Sequence, residues 1–367
     1  MYNLLPFLLL LPSSLTSALL IPRQTPSTGS CNSSPSLCSK AYSSITLLGA
    51  HDSPFLRNGN SGSGTGGTGL QLAEAGNQNI SSTQQLDLGA RLLSAQVHRS
   101  DHALHLCHSD CGLLDAGSLS SWLGGIKGWL DAHPTDVITL LLVNSDNATP
   151  TDLAGEFTTA GIADYGFVPN TPGVWPTLQE MITANKRLVV FVNAITAFPE
   201  APYLLNEFDY VFENAYNVTT PTGFSCTVDR PDTLKGQPPP QGKLGLMNHM
   251  LYDNMAAMGL SIQTPNFSAA KTSNAATGSG SLGESASNCA KDWGRQPWGV
   301  LVDFVDMGDA VKVVDGLNGV KDAVDASGGR KASPQPYTGD APKKGGLGLG
   351  GKAISIAAVG CALLTSC

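Results

Sequence analysis

Histidines, carboxylates and amides recur where short apolar runs stop. The run SITLLG at 44–49 leads into Ala50, His51 and Asp52, the run at 88–98 closes on Gln96 and His98, and the run at 103–108 closes on His108. Later runs stop at Asn144, Asn193, Glu213, Asn248-His249 and Asp303. Imidazole titrates near neutrality, so His51 and His108, two of only 7 histidines, suit a reaction that needs one proton acceptor and one proton donor. Alternation along an extended chain sends Ser94, Gln96 and His98 to one face, and Leu104, Leu106 and His108 to one face. Each polar strand end alone has a plainer use, the bonding of loop backbone. Their recurrence is what points to a shared site.

The elements that must position them are strands buried on both sides. VITLLLVN (137–144), RLVVFVN (187–193), DYVFE (209–213), LGLMN (244–248) and GVLVDF (299–304) are continuous apolar runs rather than alternating ones. That pattern belongs to parallel sheets wrapped by helices. Between them, Leu119, Trp122, Leu123, Ile126, Trp129 and Leu130 are spaced by three and four, which predicts an amphipathic helix over 119–132 stopped at His133-Pro134. Eight such strands spread over roughly 270 residues predict an α/β fold, a single imperfect TIM-type β/α barrel, whose active site lies at the C-terminal strand ends. A doubly wound sheet is the alternative, but its nucleotide-binding fingerprint is missing. Gly62-x-Gly64-x-Gly66 lies inside a low-complexity loop (59–69), and no Walker loop, HExxH or GxSxG occurs.

The 367 residues carry 21 Lys+Arg against 29 Asp+Glu, a net charge of −8, which excludes a basic field for nucleic acid. With 41% hydrophobic residues, wholesale disorder is excluded too. Residues 1–18 read as a signal peptide, 19–42 as an N-terminal segment holding Cys31 and Cys38, and 43–325 as the barrel. Residues 326–352 read as a Gly/Pro/Lys linker and 353–367 as a hydrophobic tail ordered like a GPI-attachment signal. Six cysteines remain outside the tail, an even set suited to an oxidising compartment. Closeness in sequence favours Cys31–Cys38 and Cys107–Cys111, leaving Cys226–Cys289 to close a long loop. Sequons at Asn32, Asn79, Asn147, Asn217 and Asn266 agree with a secreted, glycosylated chain attached to the cell surface.

GAHDS (49–53), QLDLGARLLSAQVH (85–98), LHLCHSDCGLLDAGSLSSWL (104–123), FENAYNV (212–218), NHMLY (248–252) and VDFVDMGD (302–309) together resemble the catalytic X-region of phosphatidylinositol-specific phospholipases C. The secreted fungal PLC-like phosphodiesterases are the most similar branch. The resemblance implies an imperfect β/α barrel and cleavage of a phosphodiester by two histidines. In that reading His51 is the general base, His108 is the general acid, Asp52 assists the acid and Asp303 orients His51. Gln96, His98, Asn144, Glu213 and Asn248 are the expected substrate-binding residues. The expected partner is a phospholipid or other phosphodiester headgroup at a membrane surface, with no cofactor and no metal. Calcium would need ligands from Asn144, Glu213 or Asp52.

One departure matters. Metal-free bacterial members carry an arginine where this chain has Gln96, and calcium-dependent animal members place acidic residues at the positions of Ser94 and Gln96. Glutamine can bond a phosphoryl oxygen but cannot neutralise developing charge, and losing one donor at such a site typically costs about 100- to 1,000-fold. His98 or Arg57 is the expected replacement, whereas Arg91 should face away. The alternative function is a weak or inactive surface protein that keeps the pocket for binding. Trp175, Trp293 and Trp298 are candidates for a hydrophobic rim, with buried packing as the competing expectation.

Overall fold

The computed structural model describes residues 29–57, 73–100, 103–171, 173–257 and 260–321. The expected leader, the low-complexity loop at 59–69, the linker and the hydrophobic tail lie outside the described residues. No helix among the described residues is long and apolar enough to cross a membrane.

Among the described residues thirteen strands form: β1 Leu47–Ala50, β2 Leu92–Ser100, β3 Ala103–Cys107, β4 Asp115–Ser118, β5 Ile138–Asn144, β6 Leu188–Asn193, β7 Leu204–Asn206, β8 Val211–Asn214, β9 Val228–Arg230, β10 Leu244–Asn248, β11 Tyr252–Ala257, β12 Leu260–Pro265 and β13 Gly299–Val302. Among the same residues eight α-helices lie between or after them: α1 Ser82–Leu88, α2 Leu119–Ala132, α3 Pro150–Thr159, α4 Leu178–Thr183, α5 Glu207–Tyr210, α6 Ala270–Ser273, α7 Leu282–Trp293 and α8 Ala310–Asn318. Side-chain caps start several of them. Ser81 with Gln84, Thr149 with Asp152 and Thr177 with Glu180 close reciprocal capping boxes at α1, α3 and α4. As expected, α2 ends at His133.

The sheet runs β7-β6-β5-β2-β1-β13-β10-β8-β9, and every pair along it is parallel except β8 with β9. The eight parallel strands therefore follow chain order around a curled sheet, as in a β/α barrel, with no ladder joining β7 to β8. The sequence reading also reaches eight strands, but its membership differs by one. The run at 103–108 is β3, which pairs antiparallel with β2 and stays outside the ring, while β7 belongs to it. With three residues, β7 is too short to show a period.

Two layers of side chains follow from the two-residue alternation. Leu48, Leu93, Leu140, Val190, Phe212 and Val300 point out to the helices and meet Leu123, Ile126, Leu153 and Trp293. Leu47, Leu92, Leu141, Val189, Phe191, Leu246 and Leu301 point the other way and pack with Tyr42, Trp175 and Trp298. The Tyr42 hydroxyl meets Thr139 at 2.6 Å, so the N-terminal segment packs against the strands from the end opposite the polar residues. Trp175, Trp293 and Trp298 are 7%, 4% and 3% exposed, so packing accounts for all three and they form no rim. Disulfides link Cys31–Cys38, Cys107–Cys111 and Cys226–Cys289.

Candidate active site

The inward layer is apolar at the N-terminal ends of the strands and polar at their C-terminal ends. Beyond Leu301 comes Asp303, beyond Ser94 comes Gln96, beyond Val211 comes Glu213, and beyond Leu246 comes Asn248. These ends surround a cavity of about 150 Å3 lined by His51, Asp52, Ser94, Gln96, His108, Glu213, Arg230 and Asn248 among others. Gly49 keeps the space beneath His51 narrow. A Cβ there would lie 2.7 Å from Leu301 Cδ2 and 2.8 Å from the Val300 carbonyl.

His51 follows directly from β1. Its Nδ1 lies 2.9 Å from Asp303 Oδ1, and Asn77 donates to the same carboxylate oxygen at 2.9 Å. A carboxylate only accepts, so Asp303 fixes the proton on Nδ1 and leaves Nε2 as the working nitrogen. Gln78 donates to the His51 carbonyl at 2.8 Å and thereby ties the strand end to the segment after the loop. Asp52 then adopts φ 46°, a left-handed backbone that Asp tolerates better than most residues. This turn holds Asp52 Oδ2 at 3.6 Å from both His51 Nε2 and His108 Nε2.

His108 arrives by a different route. β2 has nine residues and overshoots its neighbours, and β3 folds back along it with Val97 opposite Leu106. The chain after Cys107 is thus carried down to the level of Gln96. There the Ser109 N–H donates to Gln96 Oε1 at 2.9 Å, and Gln96 Nε2 donates to Asp52 Oδ2 at 2.7 Å. The Cys107–Cys111 disulfide clasps this turn. Phe55 sets its ring edge-on against the His108 imidazole at 5.3 Å. Gln96 is therefore a tie between three elements rather than a spare donor.

The two imidazoles sit in opposite electrostatic settings. Burial alone would lower His51, but Asp52 and Asp303, with help from Glu213, raise it to about 9. Burial lowers His108, the His51 charge adds to that, and Asp52 only partly offsets them.

Across the cavity, Glu213 Oε2 accepts from Arg230 Nε at 3.0 Å, Arg230 Nη2 at 2.5 Å and Asn248 Nδ2 at 2.8 Å. The guanidinium lies 4.8 Å from the centre of the Tyr216 ring and 5.7 Å from that of Phe208. Behind Glu213, Glu207 is buried and has its pKa driven well up by burial and by the Glu213 charge, so it keeps its proton. Arg230 and Asn248 keep Glu213 ionised against its own burial.

His51, His108, Asp52, Gln96, Glu213 and Asn248 thus meet at one cavity, with Asp303 directly behind. His98 and Asn144 do not. β2 rises past the rim before His98, whose Nδ1 faces Asp146 at 3.3 Å. Asn144 orders the following loop, donating to the Ala148 carbonyl at 3.0 Å and accepting from its N–H at 2.8 Å. Arg57 also lies elsewhere, 4.4 Å over the Phe267 ring. Arg91 turns away as expected and pairs with Asp136 at 2.6 Å. Sequence reasoning missed Arg230, Asn77 and Gln78. Arg230 sits on a three-residue strand without any pattern, and only its pairing opposite Glu213 brings it to the site. The residues present fit calcium poorly, because Glu213 Oε2 already holds Arg230 and Asn248, and Asp52 Oδ2 holds Gln96. Among the described residues no cluster of three or more metal-ligating side chains forms.

The family model described as PI-PLC X 1 matches residues 37–318. The chain belongs to the PI-PLC X family. A PI-PLC X domain-containing protein 1 from Arthroderma benhamiae is 40% identical over 295 residues, covering 79% of this chain and 90% of that one. An uncharacterized secreted protein from the same organism is 33% identical, covering 78% of this chain and 62% of its own length. Among solved structures, the phosphatidylinositol-specific phospholipase C of Listeria monocytogenes is 16% identical, with a TM-score of 0.48 over 77% of this chain and 95% of that one. A phosphatidylinositol-specific phospholipase C of Staphylococcus aureus is 14% identical, with a TM-score of 0.46 over 77% of this chain and 99% of its own.

Proposed function

We propose that this PI-PLC X family member is a secreted phospholipase C-like phosphodiesterase that cleaves a phosphoinositide or related headgroup with His51 as base and His108 as acid. The single observation that carries the reading is the sharing of Asp52 Oδ2 by both imidazoles, 3.6 Å from each Nε2, at the mouth of one cavity. In this mechanism His51 Nε2 takes the proton from a headgroup hydroxyl, whose oxygen forms the new bond to phosphorus. The bond from phosphorus to the lipid oxygen breaks, and His108 Nε2 protonates that oxygen as it leaves. The headgroup departs as a cyclic phosphodiester, and water adds by the reverse assignment of the two histidines. Each positioned proton transfer is worth about 100- to 10,000-fold. The secreted relative supports passage through the secretory route, and the tail at 353–367 supports retention at the cell surface by a GPI anchor.

Turnover of phosphatidylinositol by the purified protein tests this, with and without calcium. His51→Ala and His108→Ala should each lower kcat by at least about 100-fold while leaving the melting transition in place. A wild-type protein without turnover on inositol-phosphate, glycerophosphodiester or sphingomyelin-type substrates rejects the reading, as does a His108→Ala variant with full activity.

A further inference from the structure

A phosphodiester is an anion, and the cavity it must enter already holds Asp52 and Glu213, with Asp303 just behind. Oxygen charge grows further as the bond to the leaving group breaks, so a fixed cation beside the phosphoryl oxygens is the feature such a site most needs. β2 does not supply one, since Gln96 is neutral and engaged between Asp52 and Ser109. The nearby candidates are occupied elsewhere: His98 faces Asp146, Arg57 lies over Phe267, and Arg99 pairs with Asp152. Among the described residues lining the cavity, Arg230 is the one arginine, and no lysine lines it.

We infer that Arg230, arriving from β9 on the far side of the cavity, is the phosphate-binding cation of this protein and takes over the charge that β2 lacks. The inference rests on the phosphodiesterase reading and adds to it the group that neutralises the transferred phosphoryl. Arg230 is built to be rigid. Two of its nitrogens converge on Glu213 Oε2, and Tyr216 and Phe208 lie along the guanidinium. Pinned to a carboxylate, the planar guanidinium keeps a fixed orientation at the cavity wall, and guanidinium geometry suits two oxygens of a phosphate rather than a single hydroxyl. It also explains how the site can lack a cation on β2 and still keep the two histidines and Asp52 together.

Inorganic phosphate and myo-inositol are the probes, titrated calorimetrically into the full chain. Arg230→Gln should weaken phosphate binding at least tenfold and leave myo-inositol binding within about twofold, and Arg230→Lys should fall between wild type and Arg230→Gln. Because Arg230→Gln strands a buried carboxylate, the Glu213→Gln/Arg230→Gln double variant is measured beside it, and its melting transition shows whether the fold is kept. Unchanged phosphate affinity in a folded variant overturns the inference, as does selective loss of myo-inositol, which would make Arg230 a headgroup ligand. Wild-type protein that binds no phosphate overturns it as well. Turnover separates this inference from the reading beneath it. Arg230-dependent phosphate binding without turnover rejects hydrolysis alone, and turnover with Arg230-independent phosphate binding rejects the cation alone.

Discussion

At the scale of single residues, the two histidines titrate in the order opposite to their proposed roles. His51 must be neutral to accept a proton, yet its carboxylate neighbours raise it to about 9, and His108 must be charged to donate one, yet burial lowers it. In the free protein the productive arrangement, with His51 neutral and His108 charged, is therefore the disfavoured one of the two singly protonated forms. We expect kcat/KM to fall on the acid side, where both rings are charged, and again above about pH 9, where both are neutral. Asp303→Asn removes one of the carboxylates that raise His51, so the alkaline limb should move to lower pH. A limb that stays near 9 would exclude Asp303 as its cause. An anionic phosphate beside His108 stabilises its charged form, so substrate binding favours the productive arrangement. Much of this chemistry is legible in sequence because strand ends repeat. His51, Gln96, Glu213 and Asn248 all lie where an inward-facing position meets a C-terminal strand end. His98 obeys the same alternation but sits beyond the rim, and alternation says nothing about height. Arg230 and Asn77 lie outside the long apolar runs, so their places depend on which distant strand or carboxylate they meet.

At the scale of elements, the proposed base and acid are held by different devices. His51 directly follows a parallel strand paired on both sides, whereas His108 hangs from the β2–β3 hairpin and is clasped by Cys107–Cys111. Two of the three disulfides should therefore separate stability from turnover. Removing Cys226–Cys289, which spans 63 residues, should cost about 4 kcal/mol in denaturant unfolding with kcat per folded molecule preserved. Removing Cys107–Cys111, which spans 4, should cost about 2 kcal/mol and at least tenfold in kcat. Equal kcat in the two serine double variants would show that the clasp does not place the acid. The hairpin is also where reading the strands from sequence falls short. An apolar run of five residues looks the same whether it joins the ring or folds back on its predecessor, and only the register of Val97 with Leu106 separates the two.

At the scale of the whole molecule, the sequons divide by the freedom of their amide nitrogens. Asn147 and Asn217 are exposed, while Asn79 donates to Asp306 at 3.1 Å and Asn266 donates to Asp253 at 2.8 Å. Peptide mapping of protein secreted from a eukaryotic host should find glycans at Asn147 and Asn217 and bare asparagine at Asn79 and Asn266. Occupancy at Asn79 would contradict the packing described here. Both open sequons follow C-terminal strand ends, of β5 and of β8, so sugar would flank the face of the candidate site and not its opposite. The overshoot of β2 has one more consequence. In the proposed mechanism, proton acceptance is built into the scaffold, and proton donation hangs on the hairpin appendage clasped by Cys107–Cys111. A small lesion in that appendage would turn a catalyst into a receptor in a single step, still able to grip its ligand and no longer able to let it go as product.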